Sequence, residues 1–243
     1  MPVVLVTRPE QAGVELCQQL NQLGVTTIYH PLLDIIPGSE LKDLATTLQQ
    51  HDLVIAVSQH AVEQSHLYLQ AHQQSWPTTC RYVAIGQKTA QSLSKVTGQT
   101  VNYPSVSDSE HFLALDEFRS ITQSKVVILR GNGGRELIYD TLTHLGAKVS
   151  YKEVYRRVER PFDAQACLAQ WQKAQVDTMI VTSSQQLTYF VSQFGSQLSE
   201  WIKQLHLLVP SDRTAQEARL MGFIDVIATG SASNSALVAA LQP

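Results

Sequence analysis

Cysteine is scarce in this chain. Its 243 residues include three cysteines, Cys17, Cys80 and Cys167, which are far apart and have no C-x-x-C spacing. An odd number of scattered cysteines is not typical of a disulfide framework or of a zinc site. We therefore expect reduced, structural thiols and no metal bound by them.

The chain also lacks long apolar runs, and we expect no leader sequence. Runs such as VVLV and MIV are far shorter than the roughly 20 residues that a membrane span requires. The N-terminal MPVVLVTRPE has no basic segment and no long apolar stretch before a cleavage site. We expect a cytoplasmic protein with no membrane partner.

Clustered positive charge and familiar catalytic motifs are missing as well. The net charge is −3 and the lysines and arginines are scattered singly, so we expect no nucleic-acid partner. There is no G-x-S-x-G or H-E-x-x-H motif, and His60, His66 and His72 do not have the spacing of zinc ligands. These absences disfavour a conventional hydrolase and a metalloenzyme.

Short β-branched segments alternate with amphipathic segments along the whole chain. VVLVT, DLVIAV and RYVAI each precede a helical pattern. Residues 54–57 and 179–181 are apolar on both faces, which is typical of parallel sheets covered by helices on each side. The pattern predicts an α/β protein.

The second half of the sequence repeats the first. VLVTRP and the segment after it return at an offset of 122 residues, and RYVAIGQKTAQSL returns as HLLVPSDRTAQEA at an offset of 125. The repeat aligns Arg8 with Arg130, Ser58 with Ser183, and Thr89 with Thr214. Chance similarity between α/β segments is the alternative, but it would not hold the offset so constant. We expect two copies of a five-strand unit with a ligand cleft between them.

Ligands of open parallel sheets bind beyond the carboxyl ends of the strands, where the helices begin. The turns predicted at these places are rich in Ser, Thr and Gly. They are residues 7–9, 58–59, 86–89, 130–134, 183–184 and 211–214. Free N–H groups and hydroxyls at helix N-termini favour anions. The alternative is that Ser58, Thr89, Ser183 and Thr214 only cap their helices.

The glycine-rich turn at residues 130–134 is not a dinucleotide fingerprint, because Glu136 occupies the position of the third glycine. Its three glycines would let a ligand approach the backbone, and Arg130 or Arg135 would pair with a carboxylate. A tight turn with Arg135 in solvent is the alternative. Tyr155, in the segment YKEVYRRVERP, either faces the cleft or is an ordinary buried tyrosine.

Taken together, these segments resemble the uroporphyrinogen-III synthase family over essentially the whole chain. The glycine-rich and VYRR segments are the most specific of them. The matching stretches are VLVTRP, PLLDI, VSQHAVE, YVAIGQKTA, LRGNGGRELIYDTLTHLGAKV, VYRR and VPSDRTAQEA.

The resemblance implies a particular fold. Two flavodoxin-like three-layer α/β/α domains with parallel sheets would arise from the duplicated chain and be joined by a two-stranded linker. Each copy would contribute its first strand–helix–strand to the domain that holds the rest of the other copy. The domains would be residues 1–35 with 159–243, and residues 38–152, with linkers at about 31–37 and 152–160.

The resemblance also implies a reaction. A cofactor-free enzyme would close hydroxymethylbilane, a linear tetrapyrrole with eight carboxylates, into uroporphyrinogen III. The substrate's hydroxyl leaves, ring D attacks through its substituted carbon to give a spiro intermediate, and rearrangement inverts that ring. We expect a monomer whose partner is this small molecule, with a possible transient hand-over from hydroxymethylbilane synthase.

The resemblance implies a role for individual residues. Tyr155 would assist loss of the hydroxyl, as a proton donor or a hydrogen-bonding group. The substrate would be bound by Arg8, Ser58, Thr89, Arg130, Gly131, Asn132, Gly133, Ser183, Ser184 and Thr214. Asp212 departs from the family pattern and would repel a carboxylate unless it caps a helix. A two-lobed binding or regulatory protein, and a synthase-like domain kept for interaction, are the alternatives.

Overall fold

A computed structural model describes residues 2–195 and 199–242. Met1, residues 196–198 and Pro243, which the sequence assigns to the first domain, lie outside the described residues. The chain divides into two compact units, one formed by Met1–Asp34 with Val158–Pro243 and the other by Ile35–Arg157. In the described part, no helix is both long and apolar enough to cross a membrane.

The first unit contains a five-stranded sheet in which every neighbouring pair is parallel. Its strands are β1 (Val3–Val6), β2 (Thr26–Tyr29), β9 (Thr178–Ile180), β10 (His206–Val209) and β11 (Val226–Ala228). They lie in the order β11-β10-β9-β1-β2. Counted along the chain within this unit, that order is 2-1-3-4-5 read from the opposite edge, the order of flavodoxin-like sheets.

Helices cover both faces of this sheet. They are α1 (Glu10–Gln22), α7 (Ala164–Lys173), α8 (Ser184–Ser192), α9 (Glu200–Lys203), α10 (Asp212–Leu220) and α11 (Asn234–Ala239). Leu5 and Met179 belong to a core with α7, α8 and α10, whereas Val4 and Ile180 belong to a core with α1 and α11. Because successive strand residues point to opposite faces, the two cores are separate layers on either side of the sheet.

The second unit contains a four-stranded parallel sheet in the order β5-β4-β6-β7. Its strands are β4 (Leu53–Ala56), β5 (Arg81–Ala84), β6 (Lys125–Arg130) and β7 (Lys148–Glu153). The predicted fifth strand is reduced to one bridge between Val83 and Asn102. Pro104 follows two residues later, and since proline has no N–H it cannot continue the ladder.

The helices of the second unit form two layers as well. They are α2 (Leu44–Gln49), α3 (Gln59–Ala71), α4 (Gln87–Thr97), α5 (Ser109–Leu113) and α6 (Leu137–His144), with short 3₁₀ helices at Leu41–Asp43 and Asp116–Phe118. Val54 packs in a core with α2, α3 and α4, whereas Leu53 packs in a core with α5 and α6. The predicted fold class, a parallel sheet between helices in each of two units, is confirmed.

The remaining strands, β3 (Leu33–Pro37) and β8 (Tyr155–Glu159), form the two-stranded sheet expected of the linker. The division between the two units falls within both strands. The exact domain boundaries given above stay a prediction.

The burial of the core leads to a test of stability. Leu142 on α6 is fully buried, and Leu220 at the end of α10 is 88% exposed. We expect Leu142→Ala to cost about 2–5 kcal/mol, because it leaves a cavity in the core. The matched Leu220→Ala should change stability by less than about 0.5 kcal/mol. Urea unfolding followed by circular dichroism measures both, and equal midpoints would contradict the assignment of Leu142 to a packed layer.

Candidate functional site

Ser58 joins the end of β4 to the start of α3. Its backbone is extended, with φ −164° and ψ 161°, and its Oγ accepts a hydrogen bond from the N–H of Ala61 at 3.2 Å. Ser58 is therefore the N-cap of α3, as one of the two sequence interpretations holds. Its hydroxyl also donates to the Tyr155 hydroxyl at 3.2 Å, so capping is not its only contact.

Tyr155 opens β8 and is buried, with 1% of its surface exposed. Its oxygen accepts hydrogen bonds from Ser58 Oγ at 3.2 Å and from Arg157 Nη2 at 2.9 Å. Two donors occupy the acceptor side of the phenol, which leaves its own proton to point elsewhere. Tyr155 also lines a pocket of about 200 Å³ in the second unit, so it is both buried and adjacent to open space.

The glycine-rich turn after β6 does not lead directly into a helix. Residues 131–136 are irregular, and α6 begins at Leu137 without a side-chain cap. A Cβ added to Gly131 would lie 2.6 Å from Cζ of Tyr155, whereas one added to Gly133 would meet no atom within 4 Å. Gly134 has a φ of +142°, which side chains rarely adopt. Gly131 thus makes room for the Tyr155 ring, and Gly133 faces open space.

Asn132 in the same turn is bonded to the main chain of Arg157. Its Oδ1 accepts from the Arg157 N–H at 2.9 Å, and its Nδ2 donates to the Arg157 carbonyl oxygen at 3.1 Å. These two bonds attach the turn to β8 beside Tyr155. The Asn132 side chain is therefore occupied by protein groups.

Arg130 ends β6 with its guanidinium in a polar cluster. Nη1 lies 3.0 Å from Oε1 of Glu136, and Cζ lies 4.2 Å above the ring of Tyr151. The Tyr151 hydroxyl donates to the other oxygen of Glu136. This bond and the one from Arg130 lower the pKa of Glu136, whereas burial raises the pKa of Tyr151.

The pocket next to Tyr155 combines apolar walls with cationic and phenolic groups. Its polar lining includes Arg130, Arg157 and Tyr151, and its apolar lining includes Ile128. Arg135 also reaches it, but the Arg135 side chain is 64% exposed and lies 3.6 Å from Glu110. Guanidinium and phenol groups are suited to binding carboxylates. They are poor ligands for metal ions, which prefer imidazole, thiolate or carboxylate.

Thr89 is not a cap. It is the third residue of α4, is 6% exposed, and follows Gly86, which is the N-cap. The residues found to line the pocket beside Tyr155 do not include Thr89. The capping interpretation is therefore wrong for Thr89, and its hydroxyl lies in the first turn of a helix.

The first unit brings three of the predicted hydroxyl residues to neighbouring strand ends. Ser183 is the N-cap of α8, with its Oγ accepting from the N–H of Gln186 at 3.3 Å. Ser184 Oγ lies 3.3 Å from Thr214 Oγ1, which is itself 3.1 Å from Ser211 Oγ. The structure therefore joins the first turns of α8 and α10 by a short chain of hydroxyls.

The start of α10 corrects two sequence interpretations. Ser211, not Thr214, is its N-cap, and Thr214 is 1% exposed inside the first turn. Asp212 does not cap the helix either; it is exposed at the first helical position. A carboxylate there is stabilised by the helix dipole, but it also places negative charge near any bound anion.

Arg8 follows β1 in the first unit. Its Nη1 donates to the carbonyl oxygen of Ala232, and burial lowers the pKa of its guanidinium while Glu15 opposes that change. One of its N–H donors is thus directed at the loop before α11.

Two residues of the site were not among those singled out from the sequence. Arg157 donates to Tyr155, and Tyr151 supports Arg130 and Glu136. Arg157 could have been predicted from the sequence, because it follows Tyr155 by two residues on one strand, and such residues point to the same face. Tyr151 was not, because its contacts depend on how the turn after β6 folds back over β7.

Comparison with known proteins gives a consistent result. A family model described as uroporphyrinogen-III synthase HemD matches residues 14–239. The chain is 41% identical to the uroporphyrinogen-III synthase of Salmonella typhimurium, over 98% of this chain and 99% of that one. It is 40% identical to the uroporphyrinogen-III synthase of Escherichia coli, over the same shares of both chains.

A solved structure supports the fold alone. A mutant uroporphyrinogen III synthase from the extremely thermophilic bacterium Thermus thermophilus superimposes with a TM-score of 0.66 at 18% sequence identity. The match covers 98% of this chain and 96% of that one.

The packing of Tyr155 on the glycine turn predicts a difference between two glycines. Gly131→Ala would force a Cβ against the Tyr155 ring, so we expect the melting temperature to fall by roughly 3 to 10 °C. Gly133→Ala, whose Cβ meets open space, should leave it nearly unchanged. Differential scanning calorimetry compares the two variants. Equal melting temperatures would show that Tyr155 does not lie against Gly131.

Proposed function

We propose the substrate of this chain and the residues that act on it, starting from the premise that the chain belongs to the uroporphyrinogen-III synthase family of heme-biosynthesis enzymes. The observation that carries the proposal is the identity of about 40% with named synthases over nearly the whole of both chains. Because the match covers 99% of each relative, the part of those synthases that carries their activity has a counterpart in this chain.

The substrate that we propose is hydroxymethylbilane, and the product is uroporphyrinogen III. The enzyme is a cyclising hydro-lyase, because the substrate loses its hydroxyl as the ring closes. The reaction moves no electrons to an acceptor, so its chemistry requires no redox cofactor. The task of the protein is to hold the open chain in the conformer whose ring D attacks through its substituted carbon, which is catalysis by orientation.

Tyr155 is the residue that we propose to assist departure of the hydroxyl. Its oxygen accepts from Ser58 and Arg157, so its proton is available to a group in the adjacent pocket. A hydroxyl leaves more readily when a proton donor reaches its oxygen in the transition state. This role uses the phenol as a donor and needs no charged acid.

Substrate carboxylates are bound, in this proposal, at the first turns of helices and at the glycine turn. In the first unit these are the starts of α8 and α10, with Arg8, Ser183, Ser184 and Thr214. In the second unit they are the starts of α3 and α4, with Ser58 and Thr89, and the turn with Arg130, Gly131, Asn132 and Gly133. Main-chain N–H groups at such places bind anions without a cluster of cations.

We propose further that each compact unit is a domain, with the boundaries expected from the sequence, and that the protein acts as a cytoplasmic monomer. A transient hand-over from hydroxymethylbilane synthase would suit a substrate that closes unaided into the uninverted ring.

The deciding experiment follows the isomer of the product. Freshly generated hydroxymethylbilane is incubated with the protein, and the oxidised products are separated by chromatography. We expect the type III isomer, since only a protein that controls the conformer inverts ring D. Type I isomer alone, as formed without enzyme, would refute the proposal and favour a two-lobed binding protein.

Removal of one hydroxyl tests the role of Tyr155. Tyr155→Phe should lower kcat by about 100-fold with little change in KM, because the ring still packs but the donor is lost. Tyr103→Phe is the matched control, since Tyr103 is 41% exposed and should keep the wild-type rate. Steady-state kinetics of type III formation give both constants. A wild-type kcat in Tyr155→Phe would make Tyr155 a structural residue.

A further inference from the structure

We propose that Arg157 is a positioning residue that orients the Tyr155 hydroxyl, and that Asn132 holds Arg157 in place through its main chain. This inference rests on the proposed function, because it concerns the residue that we expect to donate the proton.

Arg157 and Tyr155 lie on the same face of β8. They are two residues apart, so the strand directs both side chains the same way. Arg157 Nη2 lies 2.9 Å from the Tyr155 oxygen, and its Cζ lies 5.4 Å from the centre of the Tyr155 ring. A guanidinium at this distance donates a charge-assisted hydrogen bond, which is stronger than one between neutral groups.

The direction of the phenol proton follows from the two donors. Ser58 Oγ, which already accepts from the Ala61 N–H, and Arg157 Nη2 both donate to the Tyr155 oxygen. A phenol oxygen that accepts two hydrogen bonds has little freedom to rotate its own O–H toward either donor. It also donates more strongly, because hydrogen bonds in a chain polarise one another. Arg157 therefore fixes where the Tyr155 proton points.

Asn132 fixes the backbone from which Arg157 extends. Its side-chain amide pairs with both the N–H and the carbonyl of Arg157, at 2.9 and 3.1 Å. This is the pattern by which a neighbouring strand would bond to that residue. Asn132 thus extends the hydrogen bonding of β8 and connects the glycine turn to the Tyr155 hydroxyl through Arg157.

The competing role for Arg157 is direct binding of a substrate carboxylate, since it lines the pocket together with Arg130. The two roles predict different kinetics. Replacing a positioning residue lowers kcat, and the replacement has no effect when the Tyr155 hydroxyl is absent. Replacing a carboxylate-binding residue raises KM, whether or not that hydroxyl is present.

The test compares Arg157→Met with Arg156→Met. Arg156 is the neighbouring residue on the opposite face of β8, 48% exposed and 3.4 Å from Glu153. We expect Arg157→Met to lower kcat about 10- to 100-fold with KM within about threefold of wild type, as loss of a charged hydrogen bond would do. Arg156→Met should keep the wild-type kcat. Type III formation from hydroxymethylbilane supplies both constants.

Two further variants separate positioning from folding. Arg157→Lys keeps a cationic donor and should recover part of the lost kcat, which a general loss of packing would not allow. If calorimetry shows that Arg157→Met is unfolded, Arg157→Lys alone decides, and we then expect its kcat to be below that of the wild type with an unchanged KM.

In a Tyr155→Phe background, Arg157→Met should lower kcat by less than about twofold. Asn132→Ala should lower kcat in the same direction as Arg157→Met and should not add to it.

Several results would overturn the inference while leaving the proposed function intact. They are a wild-type kcat in the folded Arg157 variants, a raised KM with kcat unchanged, and full additivity of Arg157→Met with Tyr155→Phe. A wild-type protein that forms only the type I isomer would instead refute the proposed function itself, so the two failures are distinguishable.

Discussion

The contact between the Tyr155 ring and the backbone of Gly131 is the constraint on which the rest of the site depends. No side chain other than hydrogen fits at Gly131, because a Cβ there would meet the ring at 2.6 Å. The ring is therefore placed by packing, and its hydroxyl comes within reach of Ser58 and Arg157. Within the glycine-rich turn, Gly131 therefore makes room for the protein's own tyrosine, whereas Gly133 faces open space.

The duplicated chain explains why the two units share some features and not others. Both sheets follow the same pattern of strands, and Ser58 and Ser183 cap helices at equivalent strand ends. Equivalent caps arise from duplication alone, because they stabilise any helix. Tyr155 and Arg157 lie on β8, outside the repeated strand–helix turns. Serine-capped helix N-termini are thus common to both units, whereas the proposed proton donor belongs to the second unit alone.

The sequence predicted the α/β class and two of the caps, because these follow from local periodicity and from hydroxyl residues next to helices. The linker strands were expected only from the family resemblance. The sequence did not predict that Thr89 and Thr214 are buried third residues behind the caps Gly86 and Ser211. Propensity places hydroxyls near helix starts but does not fix the position within the first turn. The use of Gly131 was also beyond sequence analysis, since the Tyr155 ring reaches it from 24 positions along the chain.

The charged groups of the site also bear on how a polyanion would be bound. Arg8 donates to the Ala232 carbonyl, and Arg130 pairs with Glu136 and stacks on Tyr151, so each cation makes contacts within the protein. With a net charge of −3, the chain does not attract anions by its overall field. In the proposed function, carboxylates would then be recognised by short-range donors at fixed positions. Helix first turns provide such donors at no entropic cost, because the backbone is already ordered before the ligand arrives.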